Sequence, residues 1–281
     1  MTAASAYAIG AAAAVAFAVW GSLFPFVVDP VTPAAALTAF LRAWGGGPAS
    51  WSISDFVSNV LLFVPIGLFA SAALQSRGAS ARRAVFTVLV GTTLLSVAVE
   101  LTQAWIRWRT ASIVDVLAEQ AGCVAGIAIW LVARDRIGAA VEWGCEAMRT
   151  ATPFQRTLAV YCAVFAVFWL LPLDVTLRPG EIADKAFHKR LLLPFMASPD
   201  AATAGELAFC LLAAVPLGIA AAHAGVRRGM REALDRALRF ALPGILALEL
   251  CQVFVFSRTT DMTVVLPLSA GILAGALFAS R

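Results

Sequence analysis

Eight apolar stretches, each near the roughly 20 residues a helix needs to cross a bilayer core about 30 Å thick, decide what this 281-residue chain can become. They cover approximately residues 5–27, 55–75, 84–106, 112–133, 157–173, 204–224, 237–256 and 262–279. With 61% of residues hydrophobic and 14% charged, the chain lacks the polar surface of a soluble domain. Backbone groups in lipid must be satisfied internally, which leaves helices as the way across. The reading is therefore all-α: a polytopic transmembrane helical bundle of about eight spans. No Lys or Arg stands in Met1–Tyr7, so the first stretch reads as a retained span and not as a cleaved signal peptide.

Basic residues in short loops mark the cytoplasmic side. The loops after the even spans, with the C-terminal Arg281, hold 13 of the 21 Lys and Arg, against eight on the other side. Both termini are then expected in the cytoplasm. The basic run Asp184–Arg190, with Lys185, His188, Lys189 and Arg190, lies on the side that should be poor in positive charge. An interfacial helix there would reconcile the two. Trp51, Trp105, Trp108 and Trp169 fall at expected outer span ends, and Trp130 and Trp143 near inner ones.

The chain is also written twice. Phe63-Val-Pro65-Ile-Gly67 returns as Ala214-Val-Pro216-Leu-Gly218, and Glu100 with Gln103 returns as Glu249 with Gln252. Arg109 and Ser112 return as Arg258 and Asp261, and Gly122 and Gly126 as Gly271 and Gly275. The offset is 149, or 151 for the Pro-Gly match, and Trp20 falls on Trp169 at 149. Two parallel four-span repeats are expected, residues 1–133 and 157–281, joined by a cytoplasmic connection over 134–156. Four crossings return the chain to its starting side, so the copies insert in the same orientation. The inverted repeats frequent in carriers need an odd count.

Chain direction brings Asp55 and Asn59 of span 2, Glu100 and Gln103 of span 3, and Ser112, Asp115 and Glu119 of span 4 to the outer end of the first half. At 1.5 Å per residue, Glu100 and Glu119 lie on the order of 10 Å inside that boundary. Ionised groups at such depth are costly and are paired, protonated or hydrated. Arg109, in the hairpin between spans 3 and 4, is expected to reach Glu100 or Asp115. Two readings follow: an outward polar pocket for a ligand, or a clasp that fastens helices together. In the second half Glu206, Glu249, Gln252, Arg258 and Asp261 keep the level, but Asn59 becomes Cys210, Asp115 becomes Val264 and Glu119 becomes Leu268. This asymmetry favours the first half as the working site. The glycines read as a helix-packing face, and Pro65 and Pro216 as helix kinks. The inner halves of the spans read as almost wholly apolar.

Five cysteines without a C-x-x-C pair suggest neither disulfide framework nor zinc. No hydrolase elbow, zincin, Walker or dinucleotide motif is present. No metal, cofactor or nucleic-acid partner is expected, and the catalytic residues of any reaction are unknown.

Asn59, Phe63, Pro65, Gly67, Glu100, Gln103, Arg109, Asp115, Gly122 and Gly126 together make residues 50–133 resemble the VanZ-like family of bacterial membrane proteins. Ser112 and Glu119 depart from its pattern, which often has an acidic residue and Asn there. The resemblance implies a bacterial envelope protein of the cytoplasmic (inner) membrane, and a link to low-level teicoplanin resistance in founding members. The favoured function is a non-catalytic pocket for an amphiphilic ligand, such as a lipid-linked cell-wall precursor or a lipoglycopeptide tail, with Arg109 meeting an anionic head group. The alternatives are an intramembrane enzyme with Glu100 as general base and a carrier or flippase.

Overall fold

Small polar residues start the helices where the chain enters the apolar layer. Thr2 and Thr152 form reciprocal capping boxes with Ser5 and Gln155, and the Ser80 hydroxyl accepts from the Arg83 amide, satisfying donors that a first helical turn leaves open. The computed structural model describes all residues except 1, 25, 46–52, 108, 172–175, 177–178, 189, 193–200, 224–228 and 281. Trp51, Trp108, Arg178, Lys189, Arg227, Arg228 and Arg281 therefore lie outside the described residues.

The chain divides into two units, Met1–Thr150 and Ala151–Arg281. The first holds α1 (Ala3–Leu23), α2 (Pro33–Gly45), α3 (Ile53–Gln75), α4 (Ala81–Gln103) and α5 (Ile113–Thr150). The second holds α6 (Pro153–Leu170), α7 (Pro179–Phe187), α8 (Ala201–His223), α9 (Met230–Arg236), α10 (Leu242–Cys251) and α11 (Val265–Ala279). A π-helical turn, Ala237–Ala241, joins α9 to α10 into one span. Among the described residues eight helices are long and apolar enough to cross a membrane, so the chain is a multi-pass membrane protein. Residues 134–150, expected within the connection, continue α5 as helix.

In the first unit α3 and α5 start at one end of the bundle and run parallel in close contact. A Cβ on Gly122 would lie 2.1 Å from the Val60 carbonyl oxygen, and one on Gly126 2.1 Å from that of Val64. Backbone meets backbone there, so only a hydrogen fits at either position. Gly271 and Gly275 of α11 meet Leu211 and Val215 of α8 in the same way, each at 2.1 Å. Pro65 and Pro216 lie inside continuous helices, α3 and α8.

A short backbone pairing stitches each unit at the end where α3 or α8 begins. Val28 and Ile106 form an antiparallel bridge, with the Asp29 amide donating to the Trp105 carbonyl at 2.8 Å. In the second unit the Thr176 amide donates to the Phe254 carbonyl at 2.7 Å, and Leu191 and Leu192 pair in parallel with Thr260 and Asp261.

The basic run on the expected outer side is only partly a surface cluster. Lys185 of α7 is 0% exposed and donates to the carbonyls of Gln252 at 2.7 Å and Val255 at 2.8 Å. It caps the carbonyl-rich end of α10, where cations are favoured. His188 and Arg190 are partnered by Asp184, and Arg190 also donates to the Phe256 carbonyl. A helix, α7, stands where the sequence reading expects an interfacial one, with Lys185 turned inward as a structural cation.

Candidate functional site

Glu100 ends α4 as a carboxylate 1% exposed. One oxygen, Oε2, accepts from the Ser112 amide at 2.6 Å, and the Ser112 hydroxyl in turn accepts from the Val114 amide at 3.1 Å. Ser112 thus starts α5 and aims a backbone donor at Glu100 in one move. Gln103, one turn along the same face, is 6% exposed and donates to the Ser22 carbonyl at 3.2 Å.

Arg109 does something other than expected. Its Nε donates to the Phe24 carbonyl at 3.1 Å, and its Nη2 to the carbonyls of Gly21 at 2.9 Å and Phe24 at 3.0 Å. The guanidinium fork closes the C-terminal end of α1, where carbonyls have no helical partner. Among the described residues it forms no ion pair with Glu100 or Asp115, although both feel its charge. The reason is geometric: the open carbonyls of α1 lie across the hairpin and take the fork.

The second unit repeats this frame. Glu249, 1% exposed, accepts from the Asp261 amide at 2.9 Å, and Asp261 accepts from the Thr263 amide at 2.8 Å. Gln252 donates to the Trp169 carbonyl at 2.9 Å, and Arg258 donates to the carbonyls of Phe168 and Leu171. These partners set the correspondence of α1 with α6: Gly21 with Phe168, Ser22 with Trp169, and Phe24 with Leu171, an offset of 147. The match of Trp20 to Trp169 is corrected by two residues. Trp20 packs on Phe17 and Phe24 instead.

That shift exposes the difference between the units. The Trp169 indole donates to the second oxygen of Glu249 at 3.0 Å, so both carboxylate oxygens are taken. Ser22 holds that place beside Glu100, and among the described residues no donor reaches Glu100 Oε1. Around Glu249 the second unit is apolar: Phe165, Trp169, Cys210 and Leu268 share one buried cluster, with Val264 packed against it. The first unit has Ala18, Ser22, Asn59, Glu119 and Asp115 at those positions. Asn59 faces the Asp115 carboxyl, and Ser96 faces that of Glu119. Glu119 is 1% exposed and its Oε2 has no hydrogen-bond partner. Asp55 and its counterpart Glu206 are exposed at the rim.

Glu100, Asp115 and Glu119 therefore lie within electrostatic reach of one another, yet among the described residues no group of His, Cys, Asp and Glu could hold a metal ion. The inner halves of the spans, expected to be almost wholly apolar, also hold Ser71, Gln75 and Thr92, and Cys123 and Trp130 are buried there as well. Only the pairing of α3, α4 and α5, with Tyr7 of α1 against Trp130, brings them inward.

Fold and site together define an integral membrane protein of helical-bundle type with buried carboxyls near one end of each unit. Residues 10–134, within the first unit, match the VanZ/LLP1 family model, so that unit is VanZ-like. No curated protein and no solved structure matches the chain.

Proposed function

We propose that the first unit binds the polar head of an amphiphile, with the ligand's chain lying in the bilayer beside the bundle, and that the second unit is a diverged tandem copy whose equivalent place is plugged. The observation that carries this reading is the contrast at one carboxylate. Glu249 has both oxygens bonded, by Trp169 and Asp261, whereas among the described residues no donor reaches Glu100 Oε1. Gln103, Arg109 and their counterparts Gln252 and Arg258 are the clasp, since both units spend them on the preceding helix. Asn59, Glu100, Asp115 and Glu119 are the ligand-facing set, with Asp55 at the mouth.

Carboxyl groups outnumber basic ones in that set, and two of Arg109's three nitrogens are committed to α1. A head group rich in donors, such as sugar hydroxyls or an ammonium, suits the site better than a bare phosphate. Lipid-linked saccharide precursors and lipoglycopeptides are amphiphiles of that kind. The charge bias of the loops supports a site on the outer face of a bacterial inner membrane.

The test is native mass spectrometry of the purified chain with teicoplanin and, separately, with a polyprenyl phosphate. Teicoplanin is expected to bind the wild type in preference to the bare phosphate, and to be lost in Ser22→Trp, which imports the second unit's plug. Equal binding by Ser22→Trp would remove the site from this position; preference for the bare phosphate would overturn the donor-rich ligand.

A further inference from the structure

Below the carboxyl cluster, α4 and α5 share a ladder of buried polar side chains. Gln120 Nε2 donates to the Ser96 hydroxyl at 3.2 Å, and the Thr92 hydroxyl, which donates to the Val88 carbonyl at 2.9 Å, lies 3.3 Å from both Gln120 Oε1 and Cys123 Sγ. Ser96 and Cys123 are 0% exposed and Thr92 is 4% exposed. The upper end adjoins Glu119 through Ser96. The Cys123 thiol is turned to Thr92 on α4 while its backbone meets Gly67 of α3; Ser71 and Gln75 follow Gly67 at one and two turns along α3, and Trp130 follows Gly126 by one turn along α5.

Both ends of this ladder are open. Glu119 Oε2 above, and Ser71 Oγ, Gln75 Nε2 and Trp130 Nε1 below, are buried atoms without a hydrogen-bond partner among the described residues. Leaving a buried polar atom unsatisfied costs about 1–3 kcal/mol, and in native proteins water ordinarily meets that need. A helix clasp would be closed on itself, but this one is bonded in its middle and unsatisfied at each end. In the second unit the corresponding positions are Leu268, Ile245, Ala241, Ile272, Ala222 and Ala279, and only Gln120 has a polar counterpart, Ser269. Packing alone gives no reason for one unit to keep the whole ladder and the other to lose nearly all of it.

We propose that the first unit contains a hydrated proton path from Glu119 through Ser96, Thr92 and Cys123, continued by water to the unsatisfied groups of Ser71, Gln75 and Trp130 toward the opposite membrane face. The carboxylic proton leaves Glu119 for a water oxygen, and each hydroxyl or thiol accepts one proton while releasing its own. The proton that enters at one end is balanced by the one leaving at the other, and nothing is oxidised or reduced. Gln120 is a positioning residue that holds Thr92 and Ser96 in line through its two amide atoms. The path does not depend on the identity of any ligand above it.

The experiment uses the full chain in liposomes with an entrapped pH dye, a potassium gradient and valinomycin, and reads internal acidification. Wild-type vesicles are expected to acidify faster than protein-free ones. Glu119→Gln and Thr92→Val, both close in shape to the native residue, are expected to fall to the protein-free rate, while Ser269→Ala in the second unit keeps the wild-type rate. Size-exclusion profiles establish that each variant is folded. Wild-type vesicles no faster than empty ones, or an unchanged rate in folded Thr92→Val, would overturn the path. Teicoplanin binding could survive either result, so the two proposals fail separately.

Discussion

A lysine with no water around it has to be held by something, and Lys185 is held by carbonyl oxygens at the end of α10. Replacing it with Met keeps the volume and removes every donor, leaving buried acceptors open at a cost of about 1–3 kcal/mol. Lys185→Met is therefore expected to lower the thermal unfolding midpoint in detergent, and an unchanged midpoint would show that other groups satisfy those carbonyls. The same kind of partner explains why individual residues were hard to read. Glu100 and Gln103 were legible because charged and amide groups stand out within apolar runs. Arg109 was legible as important but not in its role, because the carbonyls of Gly21 and Phe24 leave no mark in the sequence. Trp169 was paired with Trp20 because identical residues attract alignment, while a two-residue shift within an apolar helix has no signature.

At the level of helices, the closest crossings run through glycine. A methyl group at Gly126 would meet the Val64 carbonyl oxygen and the Leu68 amide nitrogen, both backbone, so α3 and α5 must separate to admit it. Gly126→Ala is expected to cost about 1–3 kcal/mol, the usual range for overpacking. Gly91 of α4 has nothing within 4 Å of where a Cβ would stand, and Gly91→Ala is expected to cost nothing. Equal unfolding midpoints for the two variants would contradict the close approach. Spans and glycine faces were readable because length and i, i+4 spacing are properties of one strand of sequence. The Ser96–Gln120–Thr92–Cys123 ladder was not, because it exists only once α4 lies against α5. In the central connection Arg134, Asp135 and Arg136 are good helix formers or tolerated ones, and α5 runs through them to Thr150.

Across the molecule, one hydrogen-bonded frame serves two different environments. Each unit fastens its first helix with a Gln and an Arg and aims a helix-starting amide at a buried Glu. Around that Glu the second unit is filled by Phe165, Trp169, Cys210 and Leu268, and the first by small and polar residues. The proposed working site of the first unit rests on this contrast between polar groups kept in one unit and packing in the other. Mapping adducts of the hydrophobic carboxyl reagent dicyclohexylcarbodiimide by peptide mass spectrometry measures this contrast at the carboxyl groups themselves. Adducts are expected on Glu100 or Glu119 of the first unit and not on Glu249, whose two oxygens are bonded; labelling of Glu249 as readily as Glu100 would contradict an open first unit and a plugged second.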